Sequence, residues 1–130
     1  MRIFISLVLL LLSIVSCKNQ QIDLKTDFLI GKWTSYNSTT TENGITKTDS
    51  LFVAPIYYEF LENGLAKTGL KLMDTLEWKI SSKNELSIGL NGKFAKYSTE
   101  IKSDSILILS RNYKTKTFSY NFKRGWAEKN

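Results

Sequence analysis

The stretch Phe28-Leu29-Ile30-Gly31-Lys32-Trp33-Thr34-Ser35-Tyr36 decides the fold. A short apolar turn runs into Gly-x-Trp, and polar and aromatic residues alternate after it. That is the pattern of a strand with one buried face. We read it as the opening strand of a β-barrel. The segments downstream are strands able to close back onto it.

From Gly31 onward the period is two. Ile56, Tyr58 and Phe60 share a face, with Tyr57 and Glu59 opposite. Ala66, Thr68, Leu70 and Leu72 oppose Lys67 and Lys71. Leu76, Trp78 and Ile80 oppose Glu77 and Lys79, and Leu86, Ile88 and Leu90 follow. Tyr97, Thr99 and Ile101 oppose Lys96, Glu100 and Lys102. Phe118, Tyr120 and Phe122 oppose Ser119, Asn121 and Lys123. Ile106 and Ile108 face away from Leu107 and Leu109, the mark of a strand covered on both sides. Elsewhere one apolar face alternates with a Lys-rich one, as in an antiparallel sheet with one wet side.

The turns fit this reading. Asn43-Gly44, Asn63-Gly64 and Asn91-Gly92 can each supply the positive φ angles of a type I′ hairpin. Ser81 to Asn84, Ser103-Asp104-Ser105 and Asn112-Tyr113-Lys114 are weaker turn clusters. Asp23 or Thr26 is placed to cap a short helical turn ending near Gly31. The count of strands is about nine, yet a closed antiparallel meander needs an even number. The weakest segment is Ile45 to Val53. It is either one strand with Ile56–Phe60, broken at Ala54-Pro55, or an excursion outside the barrel. Both choices leave about eight strands, the fold class expected: all-β, an antiparallel up-and-down barrel.

The N-terminus carries an address. Arg2 precedes the apolar run Ile3 to Leu12, which is too short to span a bilayer comfortably. Ile14-Val15-Ser16-Cys17 ends it with aliphatic residues, a small residue and the chain's single Cys. This resembles the lipobox of bacterial lipoproteins, which implies a signal peptide over 1–16 and an acylated Cys17 holding the chain on a membrane. Cleavage there takes sixteen residues from 130 and leaves 114; Arg2 is the only charge lost, so +6 becomes +5. Lys18 stands where an Asp marks lipoproteins for the inner membrane, so the resemblance implies the outer membrane. No acid-rich run follows Cys17, which points to the periplasmic side. Residues 17–27 read as a tether, 28–126 as the barrel domain and 127–130 as a tail.

Gly31-Lys32-Trp33 resembles the Gly-x-Trp signature of the lipocalins. In that family the Trp packs at the closed end of the barrel and an Arg late in the last strand lies across it. Period-two counting independently turns Arg124 to the inward face of the final strand, where an even meander brings it beside Trp33. The contact is either a cation–π stack or an arginine snorkelling at the rim. The closer likeness is to small lipocalin-like lipoproteins of bacterial envelopes. It rests on the lipobox, the Gly-x-Trp start, Tyr-x-Phe-x-x-x-Gly (Tyr58, Phe60, Gly64) and Trp-x-Ile (Trp78, Ile80). Gly31, Trp33 and Arg124 are then the residues of barrel closure. The domain is shorter than a typical lipocalin and shows no C-terminal helix.

Catalysis finds little support. The chain has no His, so no Ser or Thr has the usual general base. Glu59 and Glu62 fall on an outward face and a turn. No metal-ligand spacing exists and no cofactor is expected. Charges are spread without a basic run, which argues against nucleic acid. The inward aromatics could instead line a pocket for a small apolar ligand, with Tyr58, Trp78, Tyr97 and Tyr120 as its contacts. The competing reading, which this many aromatics in so short a chain favours, is that the same rings fill the barrel as core. Function would then lie on the Lys-rich outer face (Lys67, Lys71, Lys79, Lys96, Lys102, Lys116 and Lys123), facing a protein or an anionic polymer. Nothing in the sequence indicates an oligomeric state.

Overall fold

The computed structural model describes residues 22–49, 55–69, 72 and 74–125. The spans read as a signal peptide and as a tail, Cys17 with the start of the span read as a tether, residues 50–54, Leu70 and Lys71 lie outside the described residues.

Among the described residues, nine strands follow a helical turn, α1 (Thr26–Leu29). They are β1 (Gly31–Glu42), β2 (Ile45–Asp49), β3 (Tyr57–Phe60), β4 (Leu65–Thr68), β5 (Asp74–Ser82), β6 (Glu85–Leu90), β7 (Lys93–Ser103), β8 (Ile106–Tyr113) and β9 (Lys116–Arg124). All pairings are antiparallel, and β9 returns to pair with β1. The closed barrel therefore uses eight strands, β1 and β3 to β9.

β2 is the ninth strand. The early half of β1 pairs with β3 (Thr34 opposite Tyr57) and its late half with β2 (Ser38 opposite Asp49). β2 and β3 thus occupy one edge of β1 in succession, and every residue of β2 is exposed. The interruption is pinned just after Pro55. The Ser35 N–H donates to the Ile56 carbonyl (2.9 Å), and the Ile56 N–H donates to Ser35 Oγ (2.7 Å). A bulge at Tyr36 resets β1 against β9 and adds local twist.

Two of the three Asn-Gly turns are as expected. Asn43-Gly44 and Asn91-Gly92 hold both residues at positive φ, the type I′ geometry. Asn63-Gly64 differs: only Gly64 is at positive φ. The Leu61 N–H donates to the Leu65 carbonyl (2.9 Å), closing a three-residue loop. Gly64 takes the left-handed position that such loops require at their end.

The barrel has a sealed end and an open end. β1 starts at the sealed end, where α1 lies across the opening with Leu29 fully buried. No side chain caps α1: Lys25, not Asp23 or Thr26, holds the N-cap position and makes no side-chain cap bond. Packing reaches back to Leu24, inside the span read as tether. Leu24 is buried, and its N–H donates to the Lys83 carbonyl (2.7 Å). Among the described residues, every buried apolar residue lies between Leu24 and Phe122, so this stretch carries its own core.

That core is aromatic and lies towards the sealed end. Trp33, Phe60, Trp78 and Phe122 form it with Leu86, Leu107 and Leu109. Phe60 meets Trp78 edge-on at 5.6 Å, and Tyr58 covers Phe60 and Phe122 at 5.5 and 5.7 Å. Ile106 and Ile108 are only half-buried while Leu107 and Leu109 are buried, so β8 is sealed on its inner face alone.

Candidate functional site

The sealed end is built from three chain segments. Trp33 and Arg124 pair directly across β1 and β9. The Arg124 guanidinium stands 4.3 Å from the Trp33 ring centre and 5.2 Å from that of Phe28. Its Nη2 donates to the Phe28 carbonyl (2.7 Å), Nη1 to that of Ile30 (3.3 Å) and Nε to that of Asp104 (3.1 Å). The Trp33 indole N–H donates to the Leu29 carbonyl (2.9 Å). The last carbonyls of a helix lack partners within it; here arginine and indole supply them. Gly31 has φ +122°, outside the range of L side chains, and a Cβ there would stand 3.7 Å from Arg124 Nη1. These contacts make a plug that joins the first strand, the last strand and α1.

The open end is different. Above the core, Tyr58, Tyr97 and Tyr120 form a phenol layer. Burial, then the nearby Tyr97 and Tyr120 phenols, push the Tyr58 hydroxyl up to about 12. Above this layer a cleft of about 280 Å³ is lined by Tyr97, Arg111, Tyr113, Phe118 and Tyr120. Register explains the grouping: Arg111 is opposite Phe118, and Leu109 opposite Tyr120. The faces that bury Leu107 and Leu109 in β8, and Phe122 in β9, continue upward into the cleft.

Of the four side chains expected to hold a ligand, Tyr97 and Tyr120 line the cleft. Tyr58 lies beneath it. Trp78 is part of the core: it is 7% exposed, and its indole N–H donates to the Leu61 and Leu65 carbonyls (3.1 and 2.9 Å). Arg111 and Tyr113 were not foreseen. Counting by two from Leu107 and Leu109 reaches both, but the polar cluster at Asn112 to Lys114 masks the period.

A second hollow, of about 440 Å³, lies along the β1–β2 hairpin. Thr40, Glu42, Lys47, Asp49 and Lys116 are among its lining. Lys116 is therefore not on the outer face: it shares the face of Phe118, two residues on. Its ammonium is 3.6 Å from Glu42. On the outside, Lys79 stands over Phe94 (4.5 Å), Lys123 over Tyr36 (4.6 Å), and Lys102 pairs with Glu100 (2.8 Å).

Comparison of the chain with protein-family models and with curated proteins found no match.

Proposed function

We propose that this protein is a lipid-anchored envelope protein whose barrel binds a small, largely apolar ligand at its open end. The observation that carries the reading is the cleft of about 280 Å³ lined by Tyr97, Arg111, Tyr113, Phe118 and Tyr120, above the buried aromatic core. Binding sites are concave, mainly apolar and furnished with a few polar groups, and this cleft has phenol hydroxyls and one guanidinium. The role is binding, not catalysis. Anchoring rests on the sequence: Arg2, the apolar run and Ile14 to Cys17 in register. The expected place is the outer membrane, facing the periplasm.

A charged-surface role has less to stand on. Lys79 and Lys123 are engaged with rings and Lys102 with a carboxylate.

Titrating the domain that starts at Lys18 with a fluorescent fatty-acid analogue, while following Trp emission, tests the cleft. Saturable one-to-one binding lost in Phe118→Ala, with an unchanged melt, is the expected result. No binding of any apolar probe would move function to the outer surface. Fractionation of Cys17→Ser tests the anchor: the variant should leave the membrane fraction or accumulate uncleaved.

A further inference from the structure

The cleft holds an unpaired cation. Among the described residues, no ion pair or hydrogen bond engages the Arg111 guanidinium. Of the other cations on this face, Lys116 stands by Glu42, and Lys47 lines a hollow that Glu42 and Asp49 also line. Lys114, at the turn above, rests over the Tyr113 ring at 5.4 Å. The lining of the two hollows together holds three cations, Arg111, Lys47 and Lys116, against two carboxylates, Glu42 and Asp49. One positive charge is left over, and it is carried where the walls are aromatic.

We propose that the cleft selects a small, flat, carboxylate-bearing ligand, with the carboxylate on Arg111 and the planar body against Phe118 and the tyrosines. The proposal rests on the open-end binding reading and narrows its ligand class. Three features argue for it. A guanidinium offers a planar fork of donors that matches a carboxylate in two parallel hydrogen bonds. Aromatic walls favour a flat partner in offset or edge contact. At about 280 Å³ the cleft is at or below the small end of ligand pockets, a size that suits a small body better than a long chain.

The test is calorimetric titration of the domain from Lys18, which carries the whole described core. The probes are 2-naphthoate, its uncharged isostere 2-naphthamide, and oleate. Arg111 is exposed at the mouth of the cleft, so naphthoate should bind one-to-one and about twofold to fivefold tighter than naphthamide, the scale of a carboxylate on a solvated guanidinium. Arg111→Gln should erase that preference and leave naphthamide binding unchanged. Arg111→Lys should recover part of it, since charge returns without the fork. Equal affinity for naphthoate and naphthamide in the unsubstituted domain overturns the carboxylate and leaves an apolar pocket standing. That comparison needs no variant to fold. Oleate binding more tightly than naphthoate overturns the small, flat ligand. Binding of none of the three overturns both this proposal and the open-end reading.

Discussion

Arg124 and Trp33 are stacked, 4.3 Å from guanidinium to ring centre, and both bond to carbonyls at the end of the same helical turn. One pair of side chains thus joins the first strand, the last strand and the segment that plugs the barrel. Trp33 is fully buried, so Trp33→Ala should cost about 3–5 kcal/mol. Arg124→Ala removes a stack and leaves carbonyls without their donor. A double-mutant cycle from urea melts should return a coupling of about 0.5–2 kcal/mol. Additive effects would mean that the two contribute independently.

Trp78→Ala should act on stability before it acts on any ligand. The ring is buried against Phe60, and its N–H serves the two carbonyls of the β3–β4 loop. The expected loss is about 3–5 kcal/mol. Trp78→Phe keeps most of the bulk and removes one donor, while the Leu65 carbonyl keeps the Leu61 N–H and the Leu61 carbonyl keeps the Gly64 N–H; it should cost about 0.5–1.5 kcal/mol. Ligand affinity measured on the folded fraction of Trp78→Phe should match that of the unsubstituted domain. A selective loss of affinity would place Trp78 at the ligand.

Tyr58 makes the alkaline limb of the stability curve informative. Its folded hydroxyl is pushed up to about 12 from the ordinary 10.0. Below 10 both states hold the proton and stability is unaffected. Between 10 and 12 the unfolded chain releases it while the folded chain retains it. Stability therefore falls as pH rises through this window, by on the order of 2 kcal/mol at its upper end. Tyr58→Phe should flatten this part of the decline. Melts at about pH 9 and about pH 11 on both proteins measure the difference, and an equal decline in both would place the Tyr58 phenol in water.

The alternation of apolar and polar residues made the closed barrel legible, because a strand with one dry and one wet side writes its faces in the sequence. It also brought Arg124 to Trp33, since an even meander fixes which strand ends meet. It failed at the open end. There the inner face is wet as well, so Arg111, Tyr113 and Lys116 show no contrast with the outer face, and Lys116 was read as an outer lysine. Trp78 shows another limit. Its size announced burial, but its depth along the barrel follows from register, Leu65 opposite Glu77, which alternation does not encode. Asn63-Gly64 announced a turn without saying whether two residues or three would close it.

Ser35 is a small residue with a specific task. It is 2% exposed, and its Oγ accepts the Ile56 N–H at 2.7 Å just after Pro55. Proline has no N–H to donate, so the Ile56 N–H begins the re-pairing of this edge with β1. Ser35→Ala leaves that donor without its acceptor and should cost about 1–3 kcal/mol. Ser35→Thr keeps the hydroxyl but adds a methyl in a buried place, so its loss should come from crowding. Hydrogen exchange separates the two: the Ile56 amide should lose protection selectively in Ser35→Ala and keep it in Ser35→Thr. Unchanged protection of Ile56 in Ser35→Ala would mean that the ladders of β3 with β1 and β4 hold its register without the Ser35 hydroxyl.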